Sequence, residues 1–123
     1  MKEIKAVIRP NKLSSLRETL RAIPGFPGMT VSKVEGCSAR SALHLAHQPK
    51  DDLADYVPKV RVEILAPDEL AQEIVELIIK VGQTGQVGDG LVWMTEVAQA
   101  TFLFKTTSLG AGRSEMLEKP KPQ

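Results

Sequence analysis

Hydrophobic and polar positions recur along this chain with two different periods, which predict four main strands, two helices and one short last strand. Alternation with a period of two predicts strands over residues 2–9, 29–35, 59–65 and 91–95. Apolar residues at helical spacing predict one helix over about 12–22, with Asn11 as its N-terminal cap. A second helix is expected from Pro67 to Gly82, and a last short strand at Thr101–Lys105.

The order of these elements, β-α-β-β-α-β, is typical of an α+β, ferredoxin-like sandwich in which two helices cover one face of a sheet. A long polar segment, residues 37–57, separates the second and third strands, and loops of this length are usually functional or disordered. Five valines of the strands cannot all face the helices: Val7, Val31, Val60, Val62 and Val92. We therefore expect a homo-oligomer that covers the other sheet face.

Composition narrows the classes of partner. The chain has 123 residues, 42% of them hydrophobic and 25% charged, which fits one globular domain. A net charge of +1 and 4% aromatic residues argue against a nucleic-acid partner. The single cysteine forms no internal disulfide, and no apolar run reaches the ~18 residues of a membrane span. We expect a cytoplasmic protein with no direct membrane insertion.

Three glycines lie within the seven-residue stretch Thr84-Gly85-Gln86-Val87-Gly88-Asp89-Gly90. Such a loop lets backbone N–H groups approach an anion and permits positive φ. The stretch is neither a Walker A loop nor a Rossmann fingerprint, because no Gly-Lys-Ser/Thr follows and a strand comes next. Loop chemistry alone favours a simple chain reversal over a ligand cradle.

Catalytic chemistry finds little support in the residues. Cys37 has no assignable base, and a packed cysteine at a strand end is the favoured interpretation. His44 and His47 stand three apart, so one helical turn would place both imidazoles beside each other. With Cys37 they offer thiolate and imidazole ligands for Zn²⁺ or Cu⁺. The spacing matches no standard zinc signature, and incidental histidines in a solvated loop are the alternative.

Several stretches together resemble the PII signal-transduction family over residues 1–106. They include Ile8-Arg9-Pro10, Pro27-Gly28-Met29-Thr30-Val31 and Pro58-Lys59-Val60-Arg61-Val62-Glu63-Ile64. The most specific is Thr84–Gly90, which looks like the family's B-loop, while residues 37–57 fall at its T-loop. The resemblance implies a ferredoxin-like homotrimer without catalysis of its own. Independently of it, the glycines and prolines of residues 107–123 predict a flexible tail.

The resemblance also implies a function and a site. Clefts between subunits would bind an adenine nucleotide (ATP, ADP or AMP), often with 2-oxoglutarate. Loop 37–57 would then change conformation and dock on a transporter or an enzyme. The effector-binding residues that this implies are Thr30, Gly36, Lys59, Leu65, Thr84, Gly85, Gln86, Val87, Gly88, Asp89 and Gly90.

Departures from the family pattern concern charged groups. The family's metal-binding glutamine aligns with Arg40, and its modified tyrosine aligns with Asp52. The family's basic residue after the B-loop aligns with Leu91, and its two phosphate-holding arginines align with Phe102 and Phe104. Each lost charge-assisted bond removes roughly 1.5–3 kcal/mol, so the sequence predicts weak triphosphate binding unless Arg40 or Lys105 compensates.

This pattern is similar to a divergent PII-like branch associated with heavy-metal efflux and other transporters. That similarity keeps a metal role for Cys37, His44 and His47 open. The alternative function is a metal-binding or metal-tolerance trimer with the architecture of CutA proteins.

Overall fold

The computed structural model describes residues 1–37 and 56–104. Six regular elements and one short turn follow each other along this part of the chain. They are β1 (Lys2–Ile8), a 3₁₀ turn (Pro10–Lys12), α1 (Leu13–Arg21), β2 (Thr30–Gly36), β3 (Val57–Ala66), α2 (Asp68–Gly82) and β4 (Gly90–Glu96). The predicted strands and helices are all present, apart from the expected last strand.

The four strands form one sheet with the order β2-β3-β1-β4, in which every neighbouring pair is antiparallel. Strands β1 and β2, which flank α1 along the chain, are separated in the sheet by β3. This is the split βαβ arrangement, so the expected ferredoxin-like α+β fold is confirmed. It places the end of β1 beside the starts of β3 and β4.

The core lies between the two helices and one face of the sheet. Ile4, Ala6 and Ile8 of β1 are buried against the helices, as alternation with a period of two predicts. Leu16 and Leu20 of α1 are also buried. The other apolar members of this core are Ile23, Val60, Val62, Ile64, Ala66, Leu70, Ala71, Ile74 and Ile78.

The opposite sheet face is the open face of the described chain. The strand register places Val60, Val62 and Val92 on the helix side with Ala6 and Ile8, and Val31 opposite Val62 on that same side. Of the five valines singled out in the sequence, Val7 lies on the open face and the other four on the helix side, so the five do not all face the helices, as expected. The open face takes its other apolar side chains from Val34, Leu65, Leu91 and Trp93.

Two local predictions fail. Asn11 does not cap α1, because it lies inside the 3₁₀ turn. Neither the 3₁₀ turn nor α1 has a side-chain cap at its start. Pro10 starts that turn one residue earlier, and the Lys12 N–H bonds to the Arg9 carbonyl instead. At the other end, Thr101 forms only an isolated bridge and a turn follows at residues 103–104. A strand needs a continuous partner, and the exposed Leu103 (95%) has none within the described chain.

Candidate functional site

The Gly-rich loop is organised around the carboxylate of Asp89. Oδ2 of Asp89 accepts hydrogen bonds from the backbone N–H groups of Thr84 (2.7 Å), Gly85 (2.9 Å) and Gln86 (3.3 Å). The Thr84 hydroxyl donates to Oδ1. Glycine is needed at Gly85, where φ is +86°. The cradle of amides that we expected for a ligand is therefore partly filled by the loop's own anion.

These bonds act on the pKa of Asp89. They favour the ionised carboxylate, so its pKa lies well below the ordinary value. The hydroxyl of Thr84 is the main cause, followed by the Thr84 and Gly85 N–H groups and by Arg9. Asp89 is consequently a permanent negative charge at physiological pH.

Two cations hold the tip of the loop. The Arg9 guanidinium lies 3.3 Å from Asp89 Oδ1 through Nε and donates to the Val87 carbonyl through Nη2, also at 3.3 Å. Lys59 donates from Nζ to the Gly88 carbonyl. Within the described chain, the N–H groups of Val87 and Gly88 have no hydrogen-bond partner. The loop thus directs its tip carbonyls toward the protein and leaves two amides available to a ligand.

Lys59 reaches this loop because Gly36 leaves room for it. Only 5% of Lys59 is exposed, and a Cβ added to Gly36 would lie 3.1 Å from Lys59 Cγ. The aliphatic stem therefore lies over the Gly36 backbone, and the ammonium group meets a carbonyl at its end. Gly36 belongs to the site as the surface that accommodates the lysine.

Together these residues border a groove of about 740 Å³ on the open face, which we call the loop groove. Among the described residues, its lining carries the three cations Lys5, Lys59 and Arg61 and the single carboxylate of Glu35. The remaining lining residues are Val7, Val34, Gly36, Cys37, Val87, Gly88, Gly90, Leu91 and Trp93. A cationic groove with outward backbone amides suits an anionic group such as phosphate.

A second depression, of about 530 Å³, lies at the edge of the sheet and is called here the edge depression. Thr30 and Leu65 line it, and Glu63 is the only charged residue in the described part of its lining. Phe102 lines it too, with its ring centroid 5.4 Å from that of Phe104. Apolar walls with a few polar groups suit a flat heterocycle rather than a phosphate.

Comparison with known proteins identifies the family. The family model described as "Nitrogen regulatory protein P-II" matches residues 1–106. The nitrogen regulatory protein P-II of Haemophilus influenzae is 38% identical over 100 residues, or 81% of this chain and 88% of the relative. Nitrogen regulatory protein P-II 1 of Escherichia coli (strain K12) is 37% identical over 99 residues, or 80% and 88%. This chain belongs to the PII family.

PII proteins are signal-transduction regulators rather than enzymes, and homotrimers are characteristic of the family. The protein from Klebsiella oxytoca, also named nitrogen regulatory protein P-II, is 36% identical over 99 residues, which again covers 80% of this chain and 88% of the relative. The resemblance drawn from the sequence is therefore confirmed at the level of family and fold. Its heavy-metal branch stays a prediction.

The structure divides the predicted effector residues of this PII chain into three groups. Gly36, Lys59, Val87, Gly88 and Gly90 line the loop groove. Thr30 and Leu65 lie apart from them in the edge depression. Thr84, Gly85, Gln86 and Asp89 form the internal network of the loop rather than the wall of the loop groove.

Sequence reasoning missed Arg9 as a member of the site. It was noted only as part of Ile8-Arg9-Pro10, yet it contacts both Asp89 and Val87. A usable signal existed, because Arg9 follows a strand and continues its alternation onto the open face with Lys5 and Val7. The residues that stand in place of the family's charged groups also lie in two places. Leu91 borders the loop groove, and Phe102 borders the edge depression.

The metal ligands predicted in loop 37–57 are only partly described. Cys37 is exposed at the end of β2, where it lines the loop groove. His44 and His47, together with Arg40 and Lys105, lie outside the described residues. Across residues 1–37 and 56–104, no group of three or more His, Cys, Asp or Glu side chains is placed to hold a metal ion. No helix in this part is long and apolar enough to span a bilayer.

Proposed function

We propose that this PII-family chain forms a homotrimer in which the loop groove of one protomer faces the edge depression of the next. The two together would form one cleft for an adenine nucleotide, with its base in the edge depression and its phosphate in the loop groove. The observation that carries this proposal is the separation of the predicted ligand residues into two places with complementary chemistry. Among the described residues, the edge depression lacks the cations that the loop groove supplies.

The apolar side chains of the open face support self-association. Leu91 is 60% exposed and Trp93 is 39% exposed in the single chain. Both stand on the face that the helices do not cover. Covering such side chains with a second copy removes apolar surface from water, at roughly 25 cal/mol per Å².

We expect the ligand to be a nucleotide with one or two phosphates rather than three. Around the cleft, Leu91 and Phe102 supply no bonds to phosphate, and Lys59 already donates to the Gly88 carbonyl. We therefore propose that AMP and ADP bind more tightly than ATP with Mg²⁺. Binding would select one state of loop 37–57, through which the protein controls a transporter or an enzyme in the cytoplasm. Residues 1–106, over which the family model matches, would form the regulatory unit, while 107–123 lie outside the described residues.

Mixed trimers test the shared cleft. Lys59→Met removes one of the three cations of the loop groove, and Thr30→Glu adds a carboxylate to the edge depression. Each variant alone should lose ADP binding in calorimetry. If the cleft lies between subunits, an equal mixture of the two, refolded together, should recover about one quarter of the sites by random assembly. No recovery in a confirmed mixed trimer would refute the shared cleft, and a monomer in sedimentation velocity would refute the assembly.

Titration with AMP, ADP, ATP and 2-oxoglutarate tests the ligand class. Leu91→Arg, in the wall of the loop groove, should strengthen ATP binding about tenfold, because one charge-assisted bond contributes ~1.5–3 kcal/mol. Leu91→Met is the matched control, since it changes the side chain without adding charge. Absence of binding by all four compounds at millimolar concentration would refute the nucleotide form of the proposal.

A further inference from the structure

Arg9 connects the end of β1 to a loop about eighty residues further along the chain. Its guanidinium is 3.3 Å from Asp89 Oδ1 and 3.3 Å from the Val87 carbonyl oxygen. The side chain is 31% exposed and that of Asp89 is 18% exposed. A guanidinium can make both contacts at once because its N–H groups form a rigid planar fork.

The sequence around Arg9 fixes the backbone from which this side chain starts. Pro10 disfavours helical backbone at the residue before it, and Arg9 has φ −66° and ψ +140°. The chain therefore stays extended through Arg9 and turns only afterwards. This keeps Arg9 in the alternation of β1, on the same face as Val7 and Lys5, beside the Gly-rich loop.

The bond to the Val87 carbonyl determines where the next amide points. The peptide bonds of the described chain are trans, so the C=O of Val87 and the N–H of Gly88 point in opposite directions. With that carbonyl held by Arg9, the Gly88 N–H is directed away from Arg9. The Nε–H of the guanidinium donates to Asp89, whose carboxylate accepts hydrogen bonds from the N–H groups of Gly85 and Gln86.

We propose that Arg9 is the positioning residue of the Gly-rich loop: it orients the Val87–Gly88 peptide so that the Gly88 N–H is presented to the anionic group of the ligand. The ligand part of this inference rests on the proposed function above. The orientation of the loop does not, and it can be measured without any ligand. A simple surface ion pair between Arg9 and Asp89 is the competing explanation, and it predicts no effect on that peptide.

The first experiment uses the full chain without ligand. NMR would follow the amide of Gly88 by its chemical shift, and those of Gly85 and Gln86 by exchange with water, in wild type, Arg9→Ala and Arg9→Lys. Arg17→Ala, which removes the same charge from an exposed position on α1, is the control. We expect about tenfold faster exchange in Arg9→Ala, an intermediate rate in Arg9→Lys and no change in Arg17→Ala. Wild-type behaviour of Gly88, Gly85 and Gln86 in Arg9→Ala would overturn the proposal.

The second experiment measures ADP affinity by calorimetry in the same variants. We expect a loss of about tenfold in Arg9→Ala and a smaller loss in Arg9→Lys, with unfolding midpoints in urea close to wild type. If Arg9→Ala does not fold, Arg9→Gln takes its place in both experiments, because the glutamine amide keeps one N–H donor group without the charge. Failure of wild type to bind ADP would count against the proposed function alone, and the ligand-free experiment would still decide the role of Arg9. Equal ADP affinity in wild type and all folded Arg9 variants would overturn the positioning role.

Discussion

Gly90, where the Gly-rich loop enters β4, is the position at which the structure tolerates a side chain least. Its φ is +105°, which L side chains rarely adopt. A Cβ built there would lie 1.7 Å from the carbonyl oxygen of Val7, half the 3.4 Å at which ordinary contact begins. Gly90 pairs with Ile8 in the register between β1 and β4, so the clash falls on the ladder that joins them. Gly90→Ala must therefore separate two paired strands.

The cost of Gly90→Ala has two parts. Left-handed backbone costs an L residue about 1–2 kcal/mol. Moving β4 away from β1 breaks one or two ladder hydrogen bonds, each contributing about 0.5–1.5 kcal/mol net. We expect a loss of roughly 2–5 kcal/mol, a large share of the ~5–15 kcal/mol that holds a domain folded. Gly85→Ala is the matched control, because Gly85 also has positive φ (+86°) but nothing lies within 4 Å of its added Cβ.

Urea unfolding at one fixed protein concentration measures this difference, since oligomer stability depends on concentration. The control should lose only the backbone term of about 1–2 kcal/mol. Equal losses in Gly90→Ala and Gly85→Ala would show that the approach to Val7 contributes nothing, and the reasoning from contact distance would fall. A change in the slope as well as the midpoint of the Gly90→Ala transition would instead indicate that the native β1–β4 pairing is lost.

Three more perturbations test the loop and the metal prediction. The lowered pKa of Asp89 means that its ionised form stabilises the fold at neutral pH, and this contribution disappears as the pH falls from about 3.8, the ordinary value, toward the folded pKa. The urea midpoints of wild type and Asp89→Asn should thus differ by a constant amount from pH 7 to 5 and converge below pH 4; a constant difference down to pH 3 would contradict this. Lys59→Met keeps the buried stem and removes the donor to Gly88, so ADP affinity should fall at least about tenfold while stability changes by about 1 kcal/mol; Lys80→Met, on the exposed face of α2, should leave affinity unchanged. If loop 37–57 binds zinc through Cys37, Cys37→Ser should weaken Zn²⁺ binding in calorimetry, and equal affinity in both proteins would remove the cysteine from any such site.

The sequence predicted the regular elements because their buried residues recur with the period of the strand or helix that they form. In β1 and β3, alternating apolar residues face a single covering layer, and the strands appear where the period of two places them. Asn11 failed as a cap because proline at the preceding position starts a 3₁₀ turn, and local propensity yields to that constraint. The expected strand at Thr101–Lys105 failed because alternation says nothing about whether a partner strand is within reach.

The candidate site was predictable in its residues but not in their connections. The glycines of the loop suggested open amides, yet a carboxylate inside the same loop takes the N–H groups of Thr84, Gly85 and Gln86. The sequence does not show this choice, because Asp89 could equally have faced solvent. Arg9 was missed for a related reason: its alternation with Lys5 and Val7 places it on the open face, but the sequence does not show which loop lies beside it there.

Binding at this loop depends on how its charges are shared. Asp89 is a permanent anion, and Arg9 offsets it while also holding the Val87 carbonyl. Lys59, the second cation, faces the Gly88 carbonyl and not Asp89. We expect an anionic ligand at the loop groove to meet Lys59 and the amides of Val87 and Gly88, because Arg9 and the amides of its own loop already offset the charge of Asp89. Lys5 and Arg61 also line the groove, but they lie 3.7 Å from Glu3 and 3.4 Å from Glu63, so part of their charge is already paired. Since Leu91 adds no further cation, we expect the groove to favour ligands with few charges.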